Sequence, residues 1–450
     1  MLPISRRGWM RAVATGFGTA SLSRWLPLLA ETAAADPNRV RSCILLWMPG
    51  GPSQLDTFDL KPEHANAGEF KPIETTVSGI QISEHLPQLS RQAEHLAIIR
   101  SMQTKEGDHG RATYHLRTGY RPQGPVQYPT LGSLVSHERG PVTDLPNYVS
   151  VLPNSFLSPA AFGPGFLGPK HAPLVVGADR AAARSGVAVP MSEDFGPPLE
   201  VRNVQSVAGV DLAQASARMD LLKFVESGFA ADRPGLPTAS HQTAYERAVR
   251  MMRSPAMKAF ELDQEPAELR AAYGRNRFGQ GCLLARRLVE QGIPFVEVAL
   301  GGPDGTTGIG WDTHQDNFEA VRNLSATLDA GWSTLITDLK QRGLLESTLI
   351  VWMGEFGRTP VINGNAGRDH FPTAWSTVLC GGGIQGGQVF GATSESGMEV
   401  VDQPVAVNRL MATVCGALGI DHTRQNMSNI GRPIRLVEPD VEPIRSLLLS

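Results

Sequence analysis

The sequence has few of the features that mark specialised classes of protein. It contains four cysteines in 450 residues and no CxxC pair, so it indicates neither a disulfide framework nor a thiolate zinc site. Charged residues make up only 19% of the chain and the formal net charge is −3, so we expect no nucleic-acid partner. Beyond the first 35 residues no run approaches the ~18 apolar residues of a membrane span, so we expect no transmembrane segment in the mature chain.

The features that are present indicate a large, loop-rich globular protein. The hydrophobic fraction is 41%, which is enough for a sizeable core in a chain longer than an average domain. The 47 glycines and 33 prolines predict many turns and long connections.

The first 35 residues differ from the rest in charge. They hold four arginines and one glutamate, a net charge of +3. Arg6-Arg7, a weakly apolar stretch and Ala33-Ala34-Ala35 follow the order of a signal peptide with its cleavage site. Paired arginines favour twin-arginine export. We therefore predict a signal peptide over 1–35, the twin-arginine translocase as partner, and a periplasmic or extracellular location; the alternative is an uncleaved basic amphipathic membrane helix.

Short, continuously apolar runs predict strands buried on both faces of a parallel sheet. The helical patterns between them, such as the apolar face from Phe318 to Leu339, predict crossover units. The fold class that follows is a three-layer α/β/α sandwich with a mostly parallel central sheet. The predicted strands are Cys43–Met48, Leu96–Met102, Tyr148–Leu152, Phe295–Leu300, Leu349–Met353 and Ser376–Cys380.

Two segments interrupt this alternation within a single predicted domain, 36–450. Residues 154–202 are rich in proline, glycine and alanine and are interpreted as an ordered excursion or lid. Residues 211–290 are interpreted as a helical region, in which Ser254-Pro255 is a plausible helix start.

Polar residues that suit catalysis follow four of the predicted strands. Ligands bind beyond the carboxyl ends of strands in open α/β sheets, so these residues are expected to converge at one edge. Histidine and carboxylate ligands suit Zn²⁺ or Mn²⁺, and arginine beside them suits a tetrahedral anion. The candidates are Asp56, Asp108, His109, Arg111, Asp312, His314, Glu355, Arg358 and His370.

Each candidate also has a structural interpretation. Asp108 has the position of a helix cap, the run Asp312-Thr313-His314 that of a surface loop, and Pro49-Gly50-Gly51-Pro52 that of a tight turn. From the residues alone, both interpretations stay open.

Several of these motifs resemble a known bacterial family. The runs Gly310 to His314 and Met353 to Pro360, the pair Asp369-His370 and the twin-arginine leader are similar to those of domain-of-unknown-function family 1501. That family is placed in the alkaline phosphatase-like superfamily with the sulfatases. The resemblance implies an alkaline phosphatase-like fold with a helical insertion and one or two divalent ions, with zinc or manganese favoured.

The resemblance also implies roles for the candidates. Asp312 and His314 match a metal-binding cluster after a middle strand, and His370 matches a further histidine ligand. Asp56 corresponds to a carboxylate after the first strand. Glu355 stands where an Asp-His pair begins, with Phe356 in place of the histidine. Asp108-His109 precedes Thr118-Gly119 with the spacing of the superfamily's nucleophile, which places His109 at that position.

The function that we expect is an exported metal-dependent hydrolase of phosphate or sulfate esters, with Arg111 and Arg358 clamping the anion. Its substrate would be a small anionic ester or a sulfated or phosphorylated glycan. The alternatives are a catalytically silent member that binds a glycan or a cell-envelope partner, and a mutase that moves phosphate within its substrate.

Overall fold

The computed structural model describes residues 40–177, 199–201, 209, 211–232 and 246–449, so the predicted leader lies outside the described residues. Seventeen strands are present in these ranges. They are β1 Ser42–Trp47, β2 Pro72–Glu74, β3 Gln81–Ser83, β4 Leu96–Gln103, β5 Tyr148–Val151, β6 Leu174–Val176, β7 Phe295–Ala299, β8 Thr348–Met353, β9 Gly357–Arg358, β10 His370–Phe371, β11 Trp375–Gly381, β12 Gln388–Phe390, β13 Ala392–Thr393, β14 Val400–Asp402, β15 Val405–Ala406, β16 Gln425–Met427 and β17 Pro433–Arg435.

The helices that matter for the fold lie between these strands. They are α1 His109–Thr118, α2 Leu131–Arg139, α3 Leu212–Asp232, α4 Ala267–Ala272, α5 Arg277–Glu290, α6 Asn317–Gln341 and α7 Val407–Ala417, with short 3₁₀ helices at Leu89–His95, Pro159–Phe162, Gly165–Leu167, Pro169–His171, Pro255–Phe260, Leu262–Gln264, Leu345–Ser347 and Arg445–Leu447.

Nine of the strands form one central sheet. Its order is β12-β4-β11-β8-β1-β7-β5-β6, with β15 also paired to β4. Among these strands β11 alone is antiparallel to its neighbours β8 and β4, whereas the other pairs are parallel. The predicted mostly parallel sheet is confirmed.

The strand register brings the ends of five strands to one edge of the sheet. Trp47 at the end of β1 is paired with Ala299 of β7 and with Met353 of β8. At the other side, Trp375 at the start of β11 is paired with Met102 near the end of β4. The segments that leave β1, β4, β7 and β8 and the segment that enters β11 therefore start side by side.

Helices cover both faces of the sheet. Along β1 alternate side chains enter two different hydrophobic cores, because successive residues of a strand point to opposite faces. Ile44 and Leu46 pack with side chains of α5 and α6, whereas Leu45 and Trp47 pack with side chains of α1, α2 and α7. This arrangement is the three-layer α/β/α sandwich expected from the sequence.

The interruptions are partly described. The described part of 154–202 includes β6, which extends the sheet edge beside β5 and which the sequence did not predict. Ser254 caps a 3₁₀ helix, Pro255–Phe260, by accepting a hydrogen bond from the Ala256 amide. Within the described ranges no helix is long and apolar enough to cross a bilayer.

Candidate metal centre

The candidate site forms where the five strands meet at one edge. Helix α1 begins there with Asp108 as its N-cap and His109 as its first helical residue. The loop after β7 carries Asp312 and His314, and His370 stands in β10, just before β11. Residues that lie up to 261 positions apart in sequence are thereby brought together.

The centre of the cluster is one carboxylate oxygen, Oδ1 of Asp312. It lies 3.2 Å from Nε2 of His109, 3.1 Å from Nε2 of His314 and 3.3 Å from Nε2 of His370. The Nε2 atoms of His314 and His370 are themselves 3.0 Å apart. Three imidazole nitrogens therefore converge on a single oxygen.

Each of these imidazoles is held from behind through its other nitrogen. Nδ1 of His109 lies 2.7 Å from Oε1 of Glu355, Nδ1 of His314 lies 2.7 Å from Oδ1 of Asp369, and Nδ1 of His370 lies 2.8 Å from the Gly107 carbonyl oxygen. Carboxylates and carbonyls only accept hydrogen bonds, so each Nδ1 carries a proton. Each Nε2 is then the nitrogen that is left to bind a proton or a metal ion.

A glycine lets the loop after β1 approach this cluster. Gly50 has φ of +113°, and a Cβ there would lie 2.3 Å from the backbone nitrogen of Asp312. Its own amide donates a 2.8 Å hydrogen bond to Oε1 of Glu355, the oxygen that holds His109. A side chain at Gly50 would therefore disturb two parts of the centre at once.

The charges around Asp312 shift the pKa values of the cluster. Burial raises the pKa of Asp312, but the close approach of the His109 and His370 imidazoles and of Arg358 outweighs it and holds that pKa well below its usual range. Burial lowers the pKa of His109, but Asp312 and Glu355 outweigh it and raise that pKa to about 9. The pocket thus favours a positive charge at the His109 position.

The structure gives Arg358 a different environment from the predicted anion clamp. Its side chain is fully buried. Nε donates to the Gly51 carbonyl at 3.0 Å, and Nη2 donates to the Gly50 carbonyl and lies 2.5 Å from Oδ1 of Asp312. Arg358 therefore fixes the loop after β1 and restrains Asp312, and its guanidinium does not face solvent.

Asp56 is not brought to the cluster. Both of its oxygens bond to the buried guanidinium of Arg368, at 2.8 and 3.2 Å, and Oδ2 also accepts from the Asn317 side chain at 2.9 Å. This carboxylate is already neutralised inside the protein, so the sequence-based prediction of a ligand role has no support in its contacts.

Asp108 and Arg111 occupy structural positions on α1. Oδ1 of Asp108 accepts from the Arg111 amide at 3.0 Å, as an N-cap does. The Arg111 side chain is half-exposed and forms a bidentate pair with Glu106, at 2.7 and 3.1 Å. This hydrogen bond supports the interpretation of Asp108 as a helix cap.

The donor set fits one divalent cation. Nε2 of His109 is buried without an aligned hydrogen-bond partner among the described residues. A tetrahedral zinc site with bonds of ~2.1 Å has ligand-to-ligand edges of about 3.4 Å. The distances from Oδ1 of Asp312 to the three Nε2 atoms, 3.1 to 3.3 Å, and the 3.0 Å between His314 and His370 are close to that value. His109, Asp312 and His370 meet the spacing required of metal ligands, and His314 adjoins them.

Two groups that complete the centre were not assigned from the sequence. Asp369 was seen only as the neighbour of His370, and the Gly107 carbonyl was not considered. The signal available for Asp369 was its place beside the candidate residues, since a carboxylate often accepts the second N–H of a metal-binding histidine. Here it orients His314, which lies 55 positions earlier in the chain.

Comparison with known proteins gives a family and loose structural similarity. A model of the family described as "Protein of unknown function (DUF1501)" matches residues 40–448. None of the curated proteins compared with the chain matches it.

Three solved structures illustrate the structural similarity. PsFucS1 sulfatase from Pseudoalteromonas sp. is 12% identical, with 89% of this chain and 72% of that chain covered and a TM-score of 0.41. A phosphonate monoester hydrolase of Agrobacterium radiobacter is 11% identical, with coverages of 91% and 77% and a TM-score of 0.37. A TAB5 alkaline phosphatase mutant with Mg bound is 11% identical, with coverages of 80% and 96% and a TM-score of 0.35. Overlaps this loose assign no function.

Proposed function

The chain belongs to the DUF1501 family, and for this member we propose the function of an exported, metal-dependent hydrolase of phosphate or sulfate esters. The observation that carries the proposal is the convergence of three Nε2 atoms on Oδ1 of Asp312, each imidazole being held through Nδ1 by a separate acceptor.

The proposed ligands are His109, Asp312, His314 and His370. Imidazole and carboxylate donors suit Zn²⁺ and Mn²⁺. Because Asp56 is bonded to Arg368, the described residues offer a set for one ion. A cation at this position would polarise a phosphoryl or sulfuryl oxygen and make water more acidic.

The protein side of the mechanism is orientation and access. The three imidazoles are held in place by Glu355, Asp369 and the Gly107 carbonyl. Asp312 is held in place by its contact with the buried guanidinium of Arg358. The side chains of His314 and His370 are 45% and 28% exposed, whereas that of His109 is 12% exposed. An ester would therefore approach from the His314 side.

The position of His109 favours water as the nucleophile. Its Nδ1 is engaged by Glu355 and its Nε2 faces Asp312, so neither nitrogen is free to attack a substrate. Direct attack by water then gives hydrolysis without a covalent enzyme intermediate. It also explains why the described ligands of the cluster include no serine, threonine or cysteine.

Export is proposed from the leader over 1–35, with the translocase as its receptor and the periplasm or exterior as the destination.

Metal content is the direct test of this site. We expect the purified mature chain, 36–450, to bind about one Zn²⁺ or Mn²⁺ after reconstitution and dialysis, measured by elemental analysis. Asp312→Ala should lose the ion, whereas Asp402→Ala, at an exposed carboxylate of β14, should retain it. Equal metal content in the two variants would contradict the assignment.

Turnover separates the hydrolase from the catalytically silent alternative. The reconstituted chain should hydrolyse an aryl phosphate or an aryl sulfate, and His370→Ala should abolish that activity while His64→Ala, outside the cluster, retains it. A protein that holds its metal but turns over neither ester would favour the binding function instead.

A further inference from the structure

A second site is indicated by a cavity that the metal centre does not use. It has a volume of about 720 Å³ and lies between the end of β4, helix α1 and the start of α7. That volume is within the range of small-molecule binding sites. None of the residues that line it belongs to the metal centre.

One wall of the cavity is the N-terminal end of helix α7. Helix α7 follows Ala406, which has extended backbone angles and no side chain that can cap the helix, and no side-chain cap is found among the described residues. Ala406, Val407 and Asn408 all line the cavity. The first amides of an 11-residue helix and its dipole therefore present partial positive charge to the cavity.

Two cationic side chains line the same space. The ammonium of Lys105 is exposed and has no partner within the described part of the chain. Arg121 is half-exposed, and its Nε lies 3.7 Å from Oε1 of Glu106. The opposing carboxylate, Glu438, accepts a hydrogen bond from the Asn408 side chain at 2.5 Å. The balance of charge in the cavity favours an anion.

A buried histidine adds a hydrogen-bonding group that the protein does not use. His115 is only 7% exposed, and its Nδ1 lies 3.1 Å from Oγ1 of Thr104. Its Nε2 has no partner among the described residues, although the ring lines the cavity. Burial, together with Arg121, lowers the pKa of His115 to about 4, so the ring is neutral at physiological pH. A ligand in the cavity can therefore hydrogen-bond to this nitrogen.

The rest of the lining suits hydroxyl groups. Gln103 and Gln123 each offer both a donor and an acceptor, as alcohol partners require. Tyr120 and Tyr128, stacked 4.1 Å apart and nearly parallel, contribute apolar surface. A simple inorganic anion would leave these groups unused.

We propose that this cavity binds a hydroxyl-rich anion of the sugar phosphate or sugar sulfate class, with its anionic group at the start of α7 near Lys105 and Arg121. The site is independent of the proposed hydrolase reaction, because it shares no residue with the metal centre. Sugar phosphates and sugar sulfates present the same chemistry to it.

Calorimetric titration of the mature chain tests the proposal, with glucose 6-phosphate and glucose 6-sulfate as probes. At least one should bind, and more tightly than either inorganic phosphate or glucose. Loss of a charge-assisted hydrogen bond is worth about tenfold in affinity, so Lys105→Met should weaken binding by about that factor. Lys71→Met, at an exposed lysine outside the cavity, should bind like the wild type.

A second variant makes opposite predictions for stability and binding. Ala406→Asp places a favoured N-cap on α7, so the melting temperature should stay equal or rise. The same carboxylate would accept from the amides at the start of α7 and repel the anionic ligand, so affinity should fall at least about tenfold. A folded Ala406→Asp that binds as the wild type does would overturn the proposal.

The remaining outcomes also decide the question. Absence of binding by both sugar probes, or equal binding of inorganic phosphate, would overturn it. His370→Ala without added metal should still bind the probe; loss of binding in that variant would place the ligand at the metal centre and refute a separate site.

Discussion

The contact between Glu355 and His109 offers the sharpest test of the metal centre. Glu355 is buried, with 1% of its side chain exposed, and its Oε1 lies 2.7 Å from Nδ1 of His109 while accepting the Gly50 amide. In Glu355→Gln the amide oxygen can still accept both hydrogen bonds, but the negative charge is lost. The variant therefore measures the contribution of the charge of Glu355 while leaving the size of the side chain unchanged.

The expected loss of metal affinity follows from this geometry. A charge-assisted hydrogen bond contributes about 1 to 2 kcal/mol more than a neutral one, which corresponds to roughly 5- to 30-fold in affinity. This agrees with the 10- to 100-fold, in order of magnitude, that groups behind a metal-bound histidine usually contribute. Asp369, by contrast, is 53% exposed, so Asp369→Asn should cost less.

Proton competition has the opposite sign and must be separated from this effect. The pKa of His109, about 9, means that a metal ion must displace a proton at neutral pH. Wild-type affinity should therefore rise about tenfold per pH unit from pH 6.5 to 8.5. Glu355→Gln lowers the pKa of His109, so its affinity should depend less on pH and fall furthest below the wild type at pH 8.5.

The assay is competition for Zn²⁺ against a chelator of known affinity at each pH, with Glu395→Gln, an exposed substitution, as the control. The reasoning would be refuted by equal pH slopes in the two proteins, or by a Glu355→Gln variant whose affinity, once corrected for the proton on His109, matches that of the wild type within about threefold.

Three further predictions concern stability and the division of roles. Asp56→Asn should lower the free energy of unfolding by about 3 to 5 kcal/mol, because it breaks the buried ion pair with Arg368. The Asp56→Asn variant should still bind metal, whereas Asp312→Asn should not. Urea unfolding measures the first effect and elemental analysis the second. Gly50→Ala should cost more than about 3 kcal/mol and impair metal binding, since its Cβ would meet the Asp312 backbone, and normal metal binding would contradict this. The folded-state pKa of His115, about 4, lies below the ordinary value of 6.5, so the unfolded chain takes up the proton first as the pH falls. The free energy of unfolding should therefore fall by up to about 3 kcal/mol between pH 6.5 and 4. Urea unfolding of His115→Gln should show a smaller loss over the same range.

The central strands were predictable because burial on both faces demands continuous apolar runs. The run Cys43–Met48 differs from β1 by one residue at each end. Strand β6 was missed because it has three residues, two of them not fully buried, and so leaves no such run. The antiparallel direction of β11 depends on its pairing with β4 and β8, which no local pattern contains.

The site was predictable in location but not in its partners. The strand-end rule indicated Asp312, His314 and His370, and the structure brings them together. The strand-end rule cannot distinguish a residue that would bind the metal from one that orients a ligand, because this distinction depends on contacts between distant parts of the chain. Glu355 acts through His109, 246 positions away, and Asp56 is satisfied by Arg368, 312 positions away.

The distribution of the proposed ligands along the chain has a consequence for how an ion would be acquired. His109 follows β4, Asp312 and His314 follow β7, and His370 precedes β11, so no contiguous fragment of modest length contains the set. Long-range strand pairing of this kind forms late in folding, because the entropy of closing large loops must first be overcome. Metal is therefore expected to load only after the sheet has formed, and the kinetics of loading would report the completion of the sheet.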